Sequence, residues 1–383
     1  MSNLDAPFAP DWVSPPGDTV ADVLEERGWT QAALARRLGY TEKHVSQLIN
    51  GRAPITDETA FRLERVIGST AGFWLRKEVN YREALERQRL ARCCSGGMDW
   101  LDSLPLKAMR ELGVIPKLRV TAKHKPTLLE ACLHFFGVAS PEEWHEVYGG
   151  MAVHYRRSRA EQSDLGAIST WLRLGEKQAE AWQGPKFDRA RLESALREIR
   201  SLTVLPPEGF ELRMKERLRE AGVTLALVPA IPRARVSGVA RWLSPSRPLI
   251  QLSLYGKTND RFWFTFFHEA AHILWHSASA EDRKAVFLDD PDGGTSDDER
   301  EHKANQWAAD FLIPPEHAVA LRRLRSKEAV RDFAHQIGIH PGIVVGRLQH
   351  GHFIKPAWLN GLKEHYHLVR QRPDAQGTDH EQN

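Results

Sequence analysis

The spacing of apolar residues predicts a chain that begins with short helices. Between residues 19 and 90, apolar positions recur at helical intervals in segments separated by single glycines, namely Gly28, Gly39, Gly51 and Gly68. Because glycine commonly ends helices, this pattern predicts five short helices in an all-α N-terminal domain. Residues 1–18 carry four prolines and no periodicity, and we expect them to form a flexible lead-in.

Helical periodicity continues through residues 91–207, where prolines interrupt it at intervals, and we predict a helical connector there. The pattern changes after Pro206 and Pro207. From that point, short β-branched or alternating runs are bounded by proline, glycine and serine, which is typical of strands. These runs predict three strands, at residues 223–231, 236–243 and 249–254.

Two helices are predicted after the strands, at residues 259–276 and 298–312, with an acidic, glycine-containing loop at residues 289–298 between them. Strands followed by helices are typical of an α+β domain, which we assign to residues 208–360. Residues 361–383 form a polar C-terminal tail, and we expect its last fourteen residues to be disordered. The predicted fold class is therefore multidomain, with an all-α domain, a helical connector and an α+β domain.

The overall composition excludes several classes of protein. Hydrophobic residues make up 42% of the chain and charged residues 27%, as in ordinary soluble globular proteins. The first twenty residues lack the features of a secretory signal, and the longest apolar run, Phe262–Phe267, is too short to span a bilayer. We therefore expect a cytoplasmic protein without membrane contact. Cys93, Cys94 and Cys132 are too few for a disulfide framework, and we expect reduced thiols.

Residues 31–48 fit a helix-turn-helix position by position. The small Ala35 lies where two helices would cross, and Gly39 falls at the turn, where a positive φ angle is favoured. A helical hairpin that only packs is the alternative interpretation. The mutual agreement of the glycine and small-residue positions favours DNA binding, as does the polar face of the second helix. The apolar contacts between the two helices would come from Leu34, Leu38, Val45 and Leu48.

The second helix of this motif would enter the major groove of double-stranded DNA. Thr30 and Gln31 begin the preceding helix, where backbone N–H groups favour a phosphate, and Arg52 follows the second helix as a further candidate contact. The remaining candidate contacts lie at the start and along the exposed face of the second helix: Thr41, Glu42, Lys43, His44 and Gln47.

Charge gives this domain little affinity for DNA. The whole chain has a net charge of +3, and residues 19–85 contain ten Lys and Arg against nine Asp and Glu, a net charge of +1. A monomer should therefore bind weakly, and we expect a homodimer on a two-fold operator. The motif resembles the Cro/cI-type (XRE) helix-turn-helix, especially that of HigA-type antitoxins, and this resemblance implies DNA binding.

His268 and His272 are four residues apart, so on a helix both imidazoles point the same way. Glu269 lies beside them, near the open coordination position. This spacing is typical of a zinc peptidase, in which three protein ligands hold Zn²⁺ and a carboxylate takes the proton from the attacking water. The apolar helix around the three residues would bury them, and buried charge is tolerated chiefly when it is paired or bound to metal.

The third ligand should come from the second helix, where Glu301 extends the inward apolar stripe by one turn. The alternative is that Glu301 is an acid at a helix start, favoured by the helix dipole, but Asp298 and Glu299 fill that role more naturally. Asn305, four residues after Glu301, is a candidate amide for orienting a ligand. His276 shares the face of His272 and is expected to support the site or the structure rather than to bind metal.

The two segments FWFTFFHEAAHILWH and DEREHKANQWAADFLIP resemble the ImmA/IrrE metallopeptidase family. The resemblance covers roughly residues 19–360 and implies a zincin-like minimal metallopeptidase domain. It also implies that His268, His272 and Glu301 bind zinc and that Glu269 is the general base. Trp307 stands where the family usually has phenylalanine. Known activities of the family imply cleavage of a repressor or antitoxin partner. Because the DNA-binding domain is on the same chain, the target here could be the chain itself or a toxin partner.

Two functions remain open at this point. The first is a zinc endopeptidase whose attached DNA-binding domain localises or reports its action on a protein substrate. The second is a HigA-like antitoxin and autorepressor, in which the zincin-like domain is an interaction or sensor module without hydrolytic activity. An inert module has no need of Glu269, so the intact motif favours the first function.

Overall fold

The computed structural model describes residues 14–93, 95–156, 164–180, 183–253, 258–275, 287–289 and 299–366. The chain falls into two compact units, with the boundary between residues 98 and 99. Most of the predicted N-terminal lead-in and of the predicted C-terminal tail lies outside the described residues. No helix among the described residues is both long and apolar enough to cross a membrane.

The described part of the first unit contains the five helices that the sequence predicts: α1 (Pro16–Arg27), α2 (Gln31–Leu38), α3 (Glu42–Ile49), α4 (Asp57–Ile67) and α5 (Ala71–Cys93). Thr30, Thr41 and Thr56 cap α2, α3 and α4, because each threonine side chain accepts a hydrogen bond from a backbone N–H in the first turn. Gly39 ends α2 with a φ angle of +73°. The turn between α2 and α3 therefore uses the left-handed conformation expected from the sequence.

Gly17 lets α1 approach the end of α3. A Cβ atom at this position would overlap the backbone of Ile49, the last residue of α3. We therefore expect Gly17→Ala to destabilise the first unit by about 1–3 kcal/mol. The matched control is Gly72→Ala near the start of α5, where the nearest atom to the new Cβ lies 3.4 Å away on the flexible Arg76 side chain. The control should stabilise α5 by about 0.5–1 kcal/mol.

Hydrogen exchange of each full-chain variant, followed by mass spectrometry, measures the two effects on stability. Peptides from the first and the second unit are read separately. Peptides from α1 and α3 should lose protection in Gly17→Ala, while peptides from the second unit keep theirs. Equal protection of α1 and α3 in Gly17→Ala and in the wild type would show that the two helices do not depend on this close approach.

A series of helices follows, and the first of them spans the boundary between the two units. Their bounds are α6 (Ser95–Asp102), α7 (Leu106–Glu111), α8 (Lys125–Phe136), α9 (Pro141–Arg156), α10 (Leu165–Glu180), α11 (Arg189–Ser201) and α12 (Pro207–Glu220). An aromatic cluster holds the first of these helices together. In this cluster, the ring of Phe136 contacts the rings of Trp100, Trp144 and Tyr148 at centroid distances of 5.5–6.0 Å.

A four-stranded mixed sheet follows, with the strand order β1-β3-β2-β4. Its strands are β1 (Thr224–Leu227), β2 (Gly238–Ser244), β3 (Arg247–Leu252) and β4 (Phe287–Asp289). Strand β3 pairs in parallel with β1 and antiparallel with β2, and β4 pairs antiparallel with β2. The first three strands confirm the predicted ones. Strand β4 was not predicted, because three residues are too few to display an alternating pattern.

Both faces of the sheet are covered by helices. Helix α13 (Asn259–Trp275) packs on one face, where Ile250 and Leu252 join its aromatic residues in one core. Helix α10 covers the other face through polar contacts. Gln251 Nε2 donates to the carbonyl of Trp171 at 2.5 Å, and Gly175 leaves room for the Gln251 side chain. Helices α10 and α11, which belong to the helical connector predicted for residues 91–207, pack on the sheet domain in this structure.

A buried ion pair strengthens the contact between α10 and the sheet. Arg241 on β2 is almost fully buried, and its Nη1 atom lies 2.6 Å from Glu176 Oε1 on α10. Burial raises the pKa of the Glu176 carboxyl, but the positive charges of Arg241 and Arg173 outweigh this effect and hold the pKa below its ordinary value. Glu176 is therefore ionised, and β2 is fixed to the helical layer by a charge-assisted hydrogen bond.

Four further α-helices lie in the described residues after the sheet: α14 (Glu299–Leu312), α15 (Ala318–Leu321), α16 (Lys327–Ile337) and α17 (Pro341–His350). The segment after α17 fastens the start of α13. Lys363 Nζ lies 2.7 Å from the Asp260 carboxylate, and both side chains are largely buried. Trp263 Nε1 donates to the Tyr366 hydroxyl at 3.2 Å. These contacts make α13 a rigid support for the residues that follow along it.

Candidate metal centre and nucleic-acid interface

His268, His272 and Glu301 come together between α13 and α14. The two imidazole Nε2 atoms are 3.1 Å apart. His268 Nε2 lies 3.2 Å from one oxygen of the Glu301 carboxylate, and His272 Nε2 lies 3.3 Å from the other. One candidate ligand atom from each residue lies within 4.8 Å of the others. The structure therefore joins two residues from one helix with a third that is about thirty positions later in the chain.

The spacing of these three groups fits a zinc ion. Zinc bonds of about 2.0–2.1 Å in tetrahedral geometry separate two ligand atoms by about 3.3 Å. The observed separations of 3.1–3.3 Å agree with that requirement. Two imidazoles and one carboxylate are also a ligand set typical of catalytic zinc, which keeps a fourth position open for water.

The surrounding sequence explains why the three residues meet. Helix α13 is apolar on nearly every side and is therefore buried. Both histidines are buried with it, and each has only 1% of its surface exposed. Helix α14 packs on α13 through aromatic contacts: the ring of Phe267 lies 5.1 Å from that of Phe311, which stacks on Trp307 at 4.7 Å. Glu301 is on the stripe of α14 that faces α13, one turn before the buried Ala304.

The electrostatic setting keeps Glu301 negatively charged. Burial raises the pKa of its carboxyl, but hydrogen bonds from the imidazoles of His268 and His272 lower it by more. The pKa of Glu301 is therefore well below its ordinary value. The ionised carboxylate is the form that binds a metal cation.

Glu269 is fully buried between α13 and strand β2. Its side chain packs directly against Gly238, the first residue of β2. A Cβ atom at Gly238 would lie 2.8 Å from Glu269 Oε1 and 3.0 Å from Glu269 Cγ. Sequence analysis did not single out Gly238, because no local pattern connects a glycine at a strand start with a helix that begins 21 residues later.

The sequence predicts that Asn305 and His276 support the site, and only Asn305 lies among the described residues. Asn305 is on the exposed side of α14, and the described residues include no hydrogen bond from its side chain. The structure therefore does not bring Asn305 to the cluster, because its side chain points to solvent even though it follows Glu301 by four residues. His276 lies outside the described residues.

The predicted DNA contacts surround the α2–α3 motif. Gln31, Glu42, Lys43 and Arg52 are exposed, and His44 and Gln47 are partly exposed. The hydroxyls of Thr30 and Thr41 accept hydrogen bonds from the backbone N–H groups of Ala33 and His44, so they act as helix caps. The two capped helix starts and the face of α3 that carries Lys43 and Gln47 remain the candidate nucleic-acid interface.

Arg62 and Thr59 on α4 lie outside the motif but contact its turn, and sequence analysis missed both. Arg62 on α4 donates from Nη1 to the carbonyl of Leu38 at 2.6 Å, at the end of α2. Its guanidinium also lies 4.8 Å from the ring centroid of Tyr40, whose hydroxyl lies 3.0 Å from that of Thr59. The angle between α2 and α3 therefore depends on α4 as well as on Gly39.

Comparison with known protein families finds a match in each of the two regions that contain these candidate sites. Residues 20–74 match the family described as helix-turn-helix, and residues 232–349 match the peptidase family described as IrrE N-terminal-like domain. The second match includes both helices of the candidate metal centre. Residues 20–74 are therefore similar to helix-turn-helix domains, and residues 232–349 are similar to the IrrE-like domains of a peptidase family.

A stretch of 60 residues is 35% identical to a protein of Escherichia coli described as "Uncharacterized HTH-type transcriptional regulator YddM". The similarity covers 16% of this chain and 64% of the relative. The chain thus spans just under two thirds of the relative's length. The description of this relative names a helix-turn-helix regulator, the class of domain that residues 20–74 match.

Proposed function

We propose that the protein is a zinc-dependent endopeptidase that acts on a protein partner and is linked to DNA through its N-terminal domain. The observation that carries this proposal is the cluster of His268, His272 and Glu301, with separations that suit tetrahedral zinc. The match of residues 232–349 to a peptidase family supports it independently. The buried Glu269 beside this cluster supplies the remaining group that hydrolysis needs.

His268, His272 and the Glu301 carboxylate would hold the ion. When bound, zinc supplies a Lewis acid that makes water nucleophilic near neutral pH and polarises the carbonyl of the peptide bond. The protein contributes the fixed position of the three ligands on two packed helices. Burial of both imidazoles also keeps bulk water away from the ligands and strengthens their electrostatic interactions.

Glu269 would move the proton. Its carboxylate accepts a proton from the water that attacks the peptide carbonyl and then donates it to the amine that leaves. This role requires a fixed side chain, and Glu269 is fully enclosed between α13 and β2. The ligand Glu301 and the base Glu269 therefore have separate tasks, although both are carboxylates.

The proposed substrate is a regulatory protein: a repressor, an antitoxin or toxin partner, or a second copy of this chain. The presence of a DNA-binding domain on the same chain supports this class, because it would bring the peptidase to the operon whose products it cleaves. Labelling of new protein N-termini in cells tests the proposal. Cells with the wild-type chain should contain cleavage products that are absent with Glu269→Gln, and identical sets of N-termini would contradict it.

A second candidate function is a HigA-like antitoxin and autorepressor whose peptidase-like domain binds a partner without cleaving it. The similarity of part of the chain to an HTH-type regulator favours this candidate. It differs from the first in one measurable respect. An autorepressor that only binds its partner would regulate its operon equally well with or without Glu269.

DNA binding gives a prediction of its own. We expect the full chain to bind an inverted-repeat operator as a homodimer, with half-sites about 34–36 Å apart along the DNA. Lys43→Ala and Gln47→Ala should each weaken specific binding by about 1–3 kcal/mol, because both side chains are on the face of α3 that would meet base edges. Arg76→Ala, an exposed charge on α5, is the matched control and should leave affinity nearly unchanged.

Footprinting of the DNA upstream of the protein's own operon measures this binding. Protection of two half-sites by the wild type, weakened by Lys43→Ala but not by Arg76→Ala, is the expected result. Equal losses for Lys43→Ala and Arg76→Ala would mean that α3 is not the recognition helix. No protection at any salt concentration would contradict the DNA-binding function itself.

A further inference from the structure

Strand β2 meets the metal-binding helix at a single close point. This point is Gly238, where an added Cβ atom would lie 2.6 Å from Thr265 Cγ2, 2.8 Å from Glu269 Oε1 and 3.0 Å from Glu269 Cγ. All three distances are at or below the closest approach that a carbon atom tolerates. The Glu269 side chain therefore occupies the space that any other residue at position 238 would fill.

The strand at this point has little freedom to move away. Gly238 is paired on both sides, with Leu252 of β3 and with Asp289 of β4. Three residues further along β2, Arg241 is fixed to α10 by its buried contact with Glu176. An added methyl group would therefore push on the helix side chains rather than shift the strand. Thr265 and Glu269 would have to give way.

We infer that Gly238 is a positioning residue for the general base: its missing side chain sets where the Glu269 carboxylate lies. This inference rests on the proposed peptidase function. Hydrolysis depends on placing the reacting groups closely, and a misplacement of about 1 Å can lower the rate about 100-fold. The contact with Thr265 offers another explanation, in which the glycine only permits the helix to pack on the sheet. The two explanations predict different outcomes for the right set of variants.

The test uses three variants of the full chain. Gly238→Ala introduces the methyl group at the contact. The double variant Gly238→Ala with Thr265→Ser removes the Thr265 methyl, so that Glu269 is the group left in contact. Gly175→Ala is the matched control, because a Cβ there would overlap the Gln251 side chain on the opposite face of the same sheet. Zinc content, melting temperature and hydrolysis of fluorescein-labelled casein are measured for each.

Gly238→Ala should keep about one zinc per chain and lose kcat by about 10- to 100-fold with little change in KM. Gly175→Ala should lower the melting temperature with kcat unchanged. Gly238→Ala should also lower the melting temperature. In the double variant, the melting temperature should return towards the wild-type value while kcat remains low. Recovery of kcat together with the melting temperature would overturn the inference, because the glycine would then serve packing alone. A wild-type kcat in Gly238→Ala would overturn it as well.

Crystal structures of the zinc-loaded wild type and Gly238→Ala provide a measurement that does not depend on hydrolysis. The Glu269 carboxylate should be displaced by at least about 0.5 Å in the variant, with His268, His272 and Glu301 unmoved. An unmoved carboxylate would overturn the inference. If the wild type hydrolyses nothing but the displacement is found, the proposed peptidase function fails while the positional effect of Gly238 stands.

Discussion

Glu269→Gln should abolish hydrolysis while leaving the rest of the protein intact. The substitution keeps the shape of the side chain but removes its ability to accept a proton, so the rate should fall by about 10²–10⁴-fold. Zinc binding should be unchanged, because Glu269 is not among the three residues that cluster as ligands. DNA affinity should also be unchanged, because the helix-turn-helix belongs to a separate unit of the chain.

His268→Ala is the control for this experiment, since it should lose both metal and hydrolysis. In cells, a strain with zinc-loaded Glu269→Gln should remain repressed under the inducing stress, and its uncleaved partner should accumulate. Normal regulation by Glu269→Gln, in conditions where His268→Ala fails, would contradict the peptidase function and favour the role of a binding module.

Glu301→Ala is expected to lower zinc affinity by more than about 100-fold, since loss of a residue that only orients a ligand already costs about 10- to 100-fold. The carboxylate is the only negative charge in the cluster, and it contacts both imidazoles. Without it, only the two imidazoles remain as ligands, and these bind zinc weakly. The variant should also lose hydrolysis. Loss of a residue that only stabilises the helix would leave hydrolysis in place.

Glu299→Ala is the matched control, because Glu299 is an exposed acid in the first turn of the same helix. It pairs with Lys303 on the surface and should keep full zinc content. Metal analysis of both purified variants measures the difference. Unchanged zinc in Glu301→Ala would mean that the third ligand is another residue.

Local sequence patterns were enough to predict the helix-turn-helix. Its determinants lie within residues 31–48: a small residue where the helices cross, a glycine at the turn and apolar positions at helical spacing. Each acts over one or two helical turns, so the sequence alone specifies it. The clustering of the three proposed metal ligands was predictable for a similar reason. His268 and His272 are joined by helical geometry, and Glu301 is marked by its position on an apolar stripe.

Contacts between distant segments could not be predicted in the same way. The short strand β4 forms by pairing with β2. The packing of α10 on the sheet depends on Arg241 and Gln251, which lie 69 and 80 residues after the α10 residues that they contact. The same holds for Gly238 against Glu269. In α14, Asn305 follows Glu301 by four residues, yet that offset still rotates its side chain by about 40° and turns it to solvent.

The most direct test of the central claim is the location of zinc in the protein itself. Crystals of the purified full chain, measured on both sides of the zinc absorption edge, should give one anomalous peak per chain. The peak should lie about 2.0–2.1 Å from the Nε2 atoms of His268 and His272 and at a similar distance from the Glu301 carboxylate. A peak at other residues, or no peak in crystals grown with added zinc, would contradict the account.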